Sequence, residues 1–302
     1  MEQRMSAVTW ALLALLGLIW GGSFFFARIA VAEVPPLTLV FLRLSIAALA
    51  LHIYVGGRFG IYPLLKGRWR EFLVLGILNN ALPHALIFFG QTRIGAGLAS
   101  ILNATTPIWT VLIANYLTSD EKISTAKIIG CLTGLLGTIV LIGPSITDSS
   151  GLPLWALLLP VVAAVSYGFA ATYGKRFKGV APPVIAAGQM TASSLVTLPL
   201  SLATDHPWAL AAPSLNSIAA ILALALLSTA FGYILYFRIM AAAGATNASL
   251  VTLLVPPGAI LLGFLFLGER LERTEIAGMA LIGAGLVILD GRIYRRRSGA
   301  VA

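Results

Sequence analysis

The chain has 302 residues, of which 59% are hydrophobic and 10% charged, and its formal net charge is +9. Soluble domains carry about a quarter charged residues, and one water-facing core of this size cannot hide so much apolar surface, so a soluble protein is excluded. The basic residues sit at the ends of apolar runs rather than on a polar face with interleaved aromatics. They therefore read as charges that orient a membrane protein, not as a nucleic-acid surface.

Ten apolar stretches, at 8–27, 37–55, 70–90, 95–117, 124–143, 152–173, 183–203, 215–240, 245–267 and 274–291, are separated by short charged intervals. Each is long enough to cross the roughly 30 Å hydrocarbon layer as a helix. The expected fold is an all-α polytopic membrane protein of ten transmembrane helices. The mean hydropathy of +0.94 agrees.

The first stretch runs to about Ala32 and follows a weakly basic start, with Glu2 beside Arg4. It reads as a retained span rather than a secretory leader. Within it, Trp20 and Gly21 pair an aromatic with a residue that allows close helix approach. They are candidates for a gate or hinge. Span 2 carries Arg43, the one basic residue well inside a span. It either meets a substrate carboxylate, finds a structural partner or snorkels to the interface, and the sequence favours the last two.

Span 3 has a polar stripe in which Asn80, His84 and Gln91 follow helical spacing, with Phe88 between the last two and Asn79 beside the first. Polar groups at membrane depth face the bundle interior or a wet cavity, so this stripe is a candidate substrate surface. Interhelical hydrogen bonding is its structural alternative. In span 4, Ser100, Asn103, Thr106 and Thr110 surround Pro107, which removes a backbone donor and so lines a cavity, creates a hinge or simply kinks the helix. Trp109 either stacks on a substrate ring or serves packing.

Glu121 and Glu269 fall at corresponding span ends, beside Asp120 and Arg270, and read as helix-junction caps. Gly130, Gly134 and Gly137 in span 5, with Gly278 and Gly285 in span 10, read as close-packing faces between the halves or between two protomers. Cys131 and three scattered histidines offer neither a disulfide framework nor a metal site. In the second half, Tyr167 and Gly168 mirror Trp20 and Gly21, while Gln189 and Ser193 mark a polar face on span 7. Span 8 places Thr229, Tyr233, Phe237 and Met240 opposite the span 3 stripe, with Tyr236 nearby. Ser249 and Thr252 precede Pro256 and Pro257, two further hinge candidates.

These correspondences recur at nearly one offset. Trp20 to Tyr167 is 147 residues, Gly130 to Gly278 is 148, and Ser100 to Ser249 is 149. The expected repeats are 1–147 and 148–302. Five spans per repeat is odd, so the second enters the bilayer with opposite polarity to the first, around a central cavity. Inverted repeats with a midplane site are a recurring secondary-transporter architecture.

Basic residues agree with both termini lying inside. Arg4, Arg58, Lys66, Arg68, Arg70, Lys122, Lys127, Lys175, Arg176, Lys178, Arg238, Arg292, Arg295, Arg296 and Arg297 gather on one side. Arg28, Arg93, Arg270 and Arg273 lie on the other. The larger set marks the cytoplasmic face.

The segment WGGSFFFARIA from Trp20, the segment PPLTLVFLRLSIAALAL from Pro35 and the run from Pro107 through Glu121 to Gly137 resemble the first repeat of EamA-type members of the drug/metabolite transporter superfamily. PPGAILLGFLFLGERLERTEIAGMALIGAGLVIL from Pro256 is similar to that family's second-repeat ending. The resemblance implies ten helices in two inverted repeats and export of metabolites, often amino acids. Overall the sequence is most similar to bacterial aromatic-amino-acid exporters of the inner membrane. It departs from the four-helix small multidrug relatives, because span 1 lacks their deep glutamate.

The expected substrate contacts are Asn79, Asn80, His84, Phe88, Gln91, Asn103, Trp109, Tyr167, Gln189, Tyr233 and Tyr236. The gating or hinge set is Trp20, Gly21, Pro107, Gly168, Pro256 and Pro257. No acid lies deep in any span, so carboxylate-based proton coupling is disfavoured and facilitated diffusion is the simpler scheme. No GxxxxGK[ST] loop and no catalytic constellation occur, so the protein is not expected to be an enzyme. The expected partners are a small-molecule substrate and membrane lipid, with no nucleic acid, no cofactor and no metal. A monomer is compatible with this scheme.

Overall fold

A computed structural model describes residues 5–56, 61–147, 151–267 and 273–290. The charges at Glu2, Arg4, Arg58, Glu269, Arg270, Arg292, Arg295, Arg296 and Arg297 lie outside the described residues. Every regular element among the described residues is helical. Its spans are α1 (Ala7–Ala30), α2 (Pro36–Val55), α3 (Trp69–Gln91), α4 (Ala96–Leu117), α5 (Thr125–Thr147), α6 (Leu154–Gly174), α7 (Pro182–Thr204), α8 (Leu215–Ser249), α9 (Val251–Leu267) and α10 (Arg273–Asp290). A short helix, Ile61–Gly67, precedes α3.

Local chemistry sets the helix starts. Ser6 caps α1 by accepting from the Thr9 amide at 3.1 Å. Pro36 and Pro182 open α2 and α7 at the first turn, where the missing amide costs nothing. Large apolar side chains such as Leu49, Ile53, Leu132 and Leu195 point outward, which is the pattern of helices solvated by lipid.

The halves are interleaved rather than set side by side. α1 packs on α8 and α9, while its counterpart α6 packs on α3 and α4. Likewise α2 lies against α7, and α5 against α10. Nearly every major interface therefore joins one half of the chain to the other. Glycine makes the closest approaches possible. A Cβ added at Gly21 would lie 2.5 Å from the Ala259 amide nitrogen, and one at Gly168 would lie 3.1 Å from that of Thr110.

Two pairs of irregularities respect the repeat. α3 widens to a π-helix over Ile77–Ala81, and α8 does so over Ala223–Phe231. In α3 the cause is legible. Pro83 has no amide to give the Asn79 carbonyl and its ring crowds that group, so the turn opens. In α8 the Thr229 hydroxyl instead bonds the Leu224 carbonyl at 2.7 Å. α4 is broken at Ala104–Thr105, between helical segments Ala96–Asn103 and Thr106–Leu117. The matching break in the second half comes at Leu250, while Gly244, whose φ of 85° is open to glycine, kinks α8 at the position equivalent to Gly95, just before α4.

A polar and aromatic cavity between the repeats

The widened turns leave backbone carbonyls for side chains of the opposite half. Tyr233 donates its hydroxyl to the Asn79 carbonyl at 2.9 Å. From α1, the Trp20 indole N–H donates to the Ser228 carbonyl at 2.8 Å, and from α6 the Ser166 hydroxyl donates to the Leu78 carbonyl at 2.7 Å. Each π segment is thus held by a donor from the other repeat. Such segments recur at functional sites because they re-aim side chains and free carbonyls.

Between them lies a cavity lined by residues of both repeats. One wall is aromatic. Trp20 lies 5.6 Å from both Tyr233 and Tyr236, centroid to centroid, and those two tyrosines are 6.0 Å apart. Tyr167 adds a fourth ring. The facing wall carries His84, stacked on Phe88 at 6.2 Å, and Gln91, whose amide donates to the Phe24 carbonyl at 3.1 Å. Nδ1 of His84, Oε1 of Gln91 and Oδ1 of Asn103 are buried without a hydrogen-bond partner. Leaving such groups unmade costs about 1–3 kcal/mol each, so a polar occupant recovers that loss.

Of the expected contacts, Asn79, His84, Phe88, Gln91, Asn103, Tyr167, Tyr233 and Tyr236 line this cavity, and so does Trp20 from the gating set. Three others do not. Asn80 is fully buried behind Asn79, with both its side-chain polar atoms unpartnered. Gln189 accepts from Asn79 Nδ2 at 3.0 Å, so it orients a lining residue from one layer back. Trp109 turns aside to Thr105, 3.3 Å from its hydroxyl, and its backbone packs against Gly168.

The hinge set also divides. Pro107 opens the helical segment just after the α4 break. Pro256 and Pro257 instead lie within α9, which starts just after the break at Leu250. Gly21 and Gly168 are points of close helix approach.

Of the two readings favoured for Arg43, the structural partner holds and snorkelling does not. Arg43 is 6% exposed, donates from Nε to the Thr229 hydroxyl at 2.6 Å and lines the cavity, its guanidinium carbon 5.8 Å from the Phe88 centroid. α2 lies within the bundle against α7 and α8, so a side chain on its inner face meets protein and cavity instead of the interface. Ser23, Phe24, Ile87, Thr106, Ser249, Val251, Thr252 and Val255 complete the lining. Ser23 and Phe24 were hidden in a uniformly apolar span. A three- and four-residue spacing from Trp20 was the available signal.

At one end of the bundle a junction ties the halves together. Glu121 accepts from the backbone amides of Ala245 and Thr246, at 3.0 and 2.9 Å, and from the Thr246 hydroxyl. Lys175 reaches Asp120 at 2.6 Å and Glu121 at 3.0 Å. Glu121 thus caps the helical turn that restarts after Gly244, as its span-end position implied. Burial acts to raise its pKa, but the hydrogen bonds from Thr246 and Lys175 outweigh this and hold the carboxyl below the ordinary glutamate value.

The EamA-like transporter family model matches this chain twice, over residues 6–143 and 154–289. The chain belongs to the EamA-like transporter family. It is a transporter rather than an enzyme, and a multi-pass membrane protein. An uncharacterized transporter of Archaeoglobus fulgidus is 28% identical, the match covering 93% of this chain and 98% of that protein. The probable terminal-alkyne amino-acid exporter of Streptantibioticus cattleyicolor is 27% identical over 98% of each chain. The inner membrane transporter YedA of Escherichia coli is 28% identical, over 91% of this chain and 88% of its own. A crystal structure 20% identical in sequence superposes with a TM-score of 0.76, covering 95% of this chain and 97% of that one, which shows a shared fold.

Proposed function

We propose that this EamA-like transporter exports amino acids, aromatic and other neutral ones foremost, or related small metabolites, across a bacterial inner membrane by alternating access. The observation that carries this reading is the cavity itself. Four aromatic rings face a polar wall between two interleaved repeats, which suits a solute with a flat apolar body and a polar head. The name of the Streptantibioticus relative, a probable amino-acid exporter, is consistent with it. The repeats divide near residues 147 and 148, and both termini face the cytoplasm. Asn79, His84, Phe88, Gln91, Asn103, Tyr167, Tyr233 and Tyr236 contact the solute, while α1 and α6 move against the repeats they pack on. The alternative of an organic-cation exporter is disfavoured by Arg43, which repels a cation from the same cavity.

The test is counterflow of radiolabelled phenylalanine into proteoliposomes holding the purified chain, with and without a pH gradient. Exchange without a gradient is expected. Uptake only with a gradient would replace facilitated movement by coupling, and no movement by folded protein would remove the aromatic assignment.

A further inference from the structure

A guanidinium buried in a membrane bundle requires an anion, because an unpaired buried charge costs several kcal/mol. Among the described residues Arg43 has no such partner. Its Nε is taken by the neutral Thr229 hydroxyl, and its guanidinium lies over the Phe88 ring. The ionisable groups that interact electrostatically with it are Tyr233, Tyr167 and His84, none of which is an acid at neutral pH. Among the described residues every Asp and Glu lies in a loop or at a helix end. The two terminal nitrogens of the guanidinium remain as a planar pair of donors beside the cavity.

From this we infer that Arg43 is the anion-recognition residue of the cavity, and that the preferred solute is a monocarboxylate whose body needs no ammonium group. The inference rests on the transporter reading above and, within it, favours the related small metabolites over the amino acids. A carboxylate fits the remaining fork of donors edge to edge. One fixed cation balances one carboxylate, whereas a phosphate monoester carries a charge of about −1.5 to −2 at neutral pH and would stay undercompensated. The same cavity offers an ammonium no carboxylate. Beside a positive charge, it offers uncharged acceptors: ring faces, the amide oxygens of Gln91 and Asn103, and the hydroxyls of Ser23, Thr106, Ser249 and Thr252. Aromatic acids, 2-oxo acids and N-acylated amino acids therefore match its electrostatics better than a zwitterion does.

The experiment compares equilibrium binding of four compounds to the detergent-purified full chain: hydrocinnamate, its neutral amide, phenethylamine and phenylalanine. Hydrocinnamate is expected to bind tighter than its amide by about 10- to 100-fold, the value of a charge-assisted pair. Phenethylamine should be the weakest, and phenylalanine no tighter than hydrocinnamate. Arg43→Gln should bring acid and amide to within about threefold of each other, the charge-assisted margin being lost. Equal binding of acid and amide by the unmodified protein overturns the inference, as does a preference that survives Arg43→Gln. The first comparison needs no variant, so it stands even if Arg43→Gln does not fold.

Counterflow separates the two readings. Phenylalanine exchange without acid–amide discrimination keeps the amino-acid exporter and removes the role of Arg43. Discrimination without phenylalanine exchange keeps Arg43 and replaces the amino acid by a simple carboxylate.

Discussion

The α5–α10 seam and the α3–α8 wall are each built from a pair of repeat-related helices, but the contacts differ in kind. At the seam the backbones nearly touch. A Cβ at Gly137 would fall 2.6 Å from the Ile282 amide nitrogen, and one at Gly285 would fall 2.6 Å from that of Gly134. Along the wall both helices are widened, carbonyls are shared across the repeats, and polar atoms stay unpaired around an open volume. Helices in lipid gain nothing from hydrophobic exclusion, so tight association comes from small residues and dispersion. The seam spends its glycines on that closeness. The wall gives it up, which keeps a space that a solute can enter and two helices that can move. The seam joins the halves of one chain, so its glycines are accounted for without a second protomer.

If this contrast is right, volume breaks the seam and chemistry breaks the wall. Gly137→Leu has the largest expected effect. Overpacking against the Ile282 backbone should destabilise by about 3 kcal/mol or more, read as loss of the monodisperse peak in size-exclusion chromatography of solubilised membranes. A normal peak would mean that the helices part easily and that the seam is not rigid. His84→Ala comes next. It removes one cavity group and should lower turnover in proteoliposomes by about tenfold, comparable to losing one good hydrogen bond, with the chromatographic profile unchanged. Undiminished turnover would take His84 out of the site.

The smallest effect is expected at the Glu121 junction. Glu121→Gln keeps the shape but loses the charge that faces the Ala245 and Thr246 amides and Lys175. It should cost about 1 kcal/mol, the scale of a helix N-cap, seen as a modest fall in melting temperature. Because the folded carboxyl has a lowered pKa, its stabilisation is present above the ordinary glutamate value and fades as pH falls through the lowered one. The gap between native protein and Glu121→Gln should therefore close in acid and stay constant from neutral pH upward. A gap that instead widens in acid would show that the junction does not rest on the ionised carboxylate.

Much of the cavity was legible from polarity alone. Asn79, His84 and Gln91 are conspicuous in an apolar span, and the offset linking Trp20 to Tyr167 brought a second helix into view. Burial depth was harder to read. Asn80 and Gln189 carry the same signal as Asn79, but they sit one layer behind the lining. Trp109 sits on the α6 side of its helix, a matter of rotation that a lone aromatic in an apolar segment does not reveal. Arg43 was visible as the one deep basic residue, yet whether it reached lipid or cavity depended on which face α2 turns inward.

By itself the amino-acid sequence determined the span count, the repeat and the exclusion of a soluble or catalytic protein. Hydropathy over about 20 residues is a local property that the bilayer enforces on any chain. Tertiary structure alone decided that the repeats interleave, that α3 and α8 widen where they share carbonyls, and that Arg43 faces a cavity with no acid among the described residues to meet it. Those outcomes depend on the rotation of each helix about its axis. In lipid that rotation is set by packing against neighbours from the other half of the chain, not by hydrophobicity.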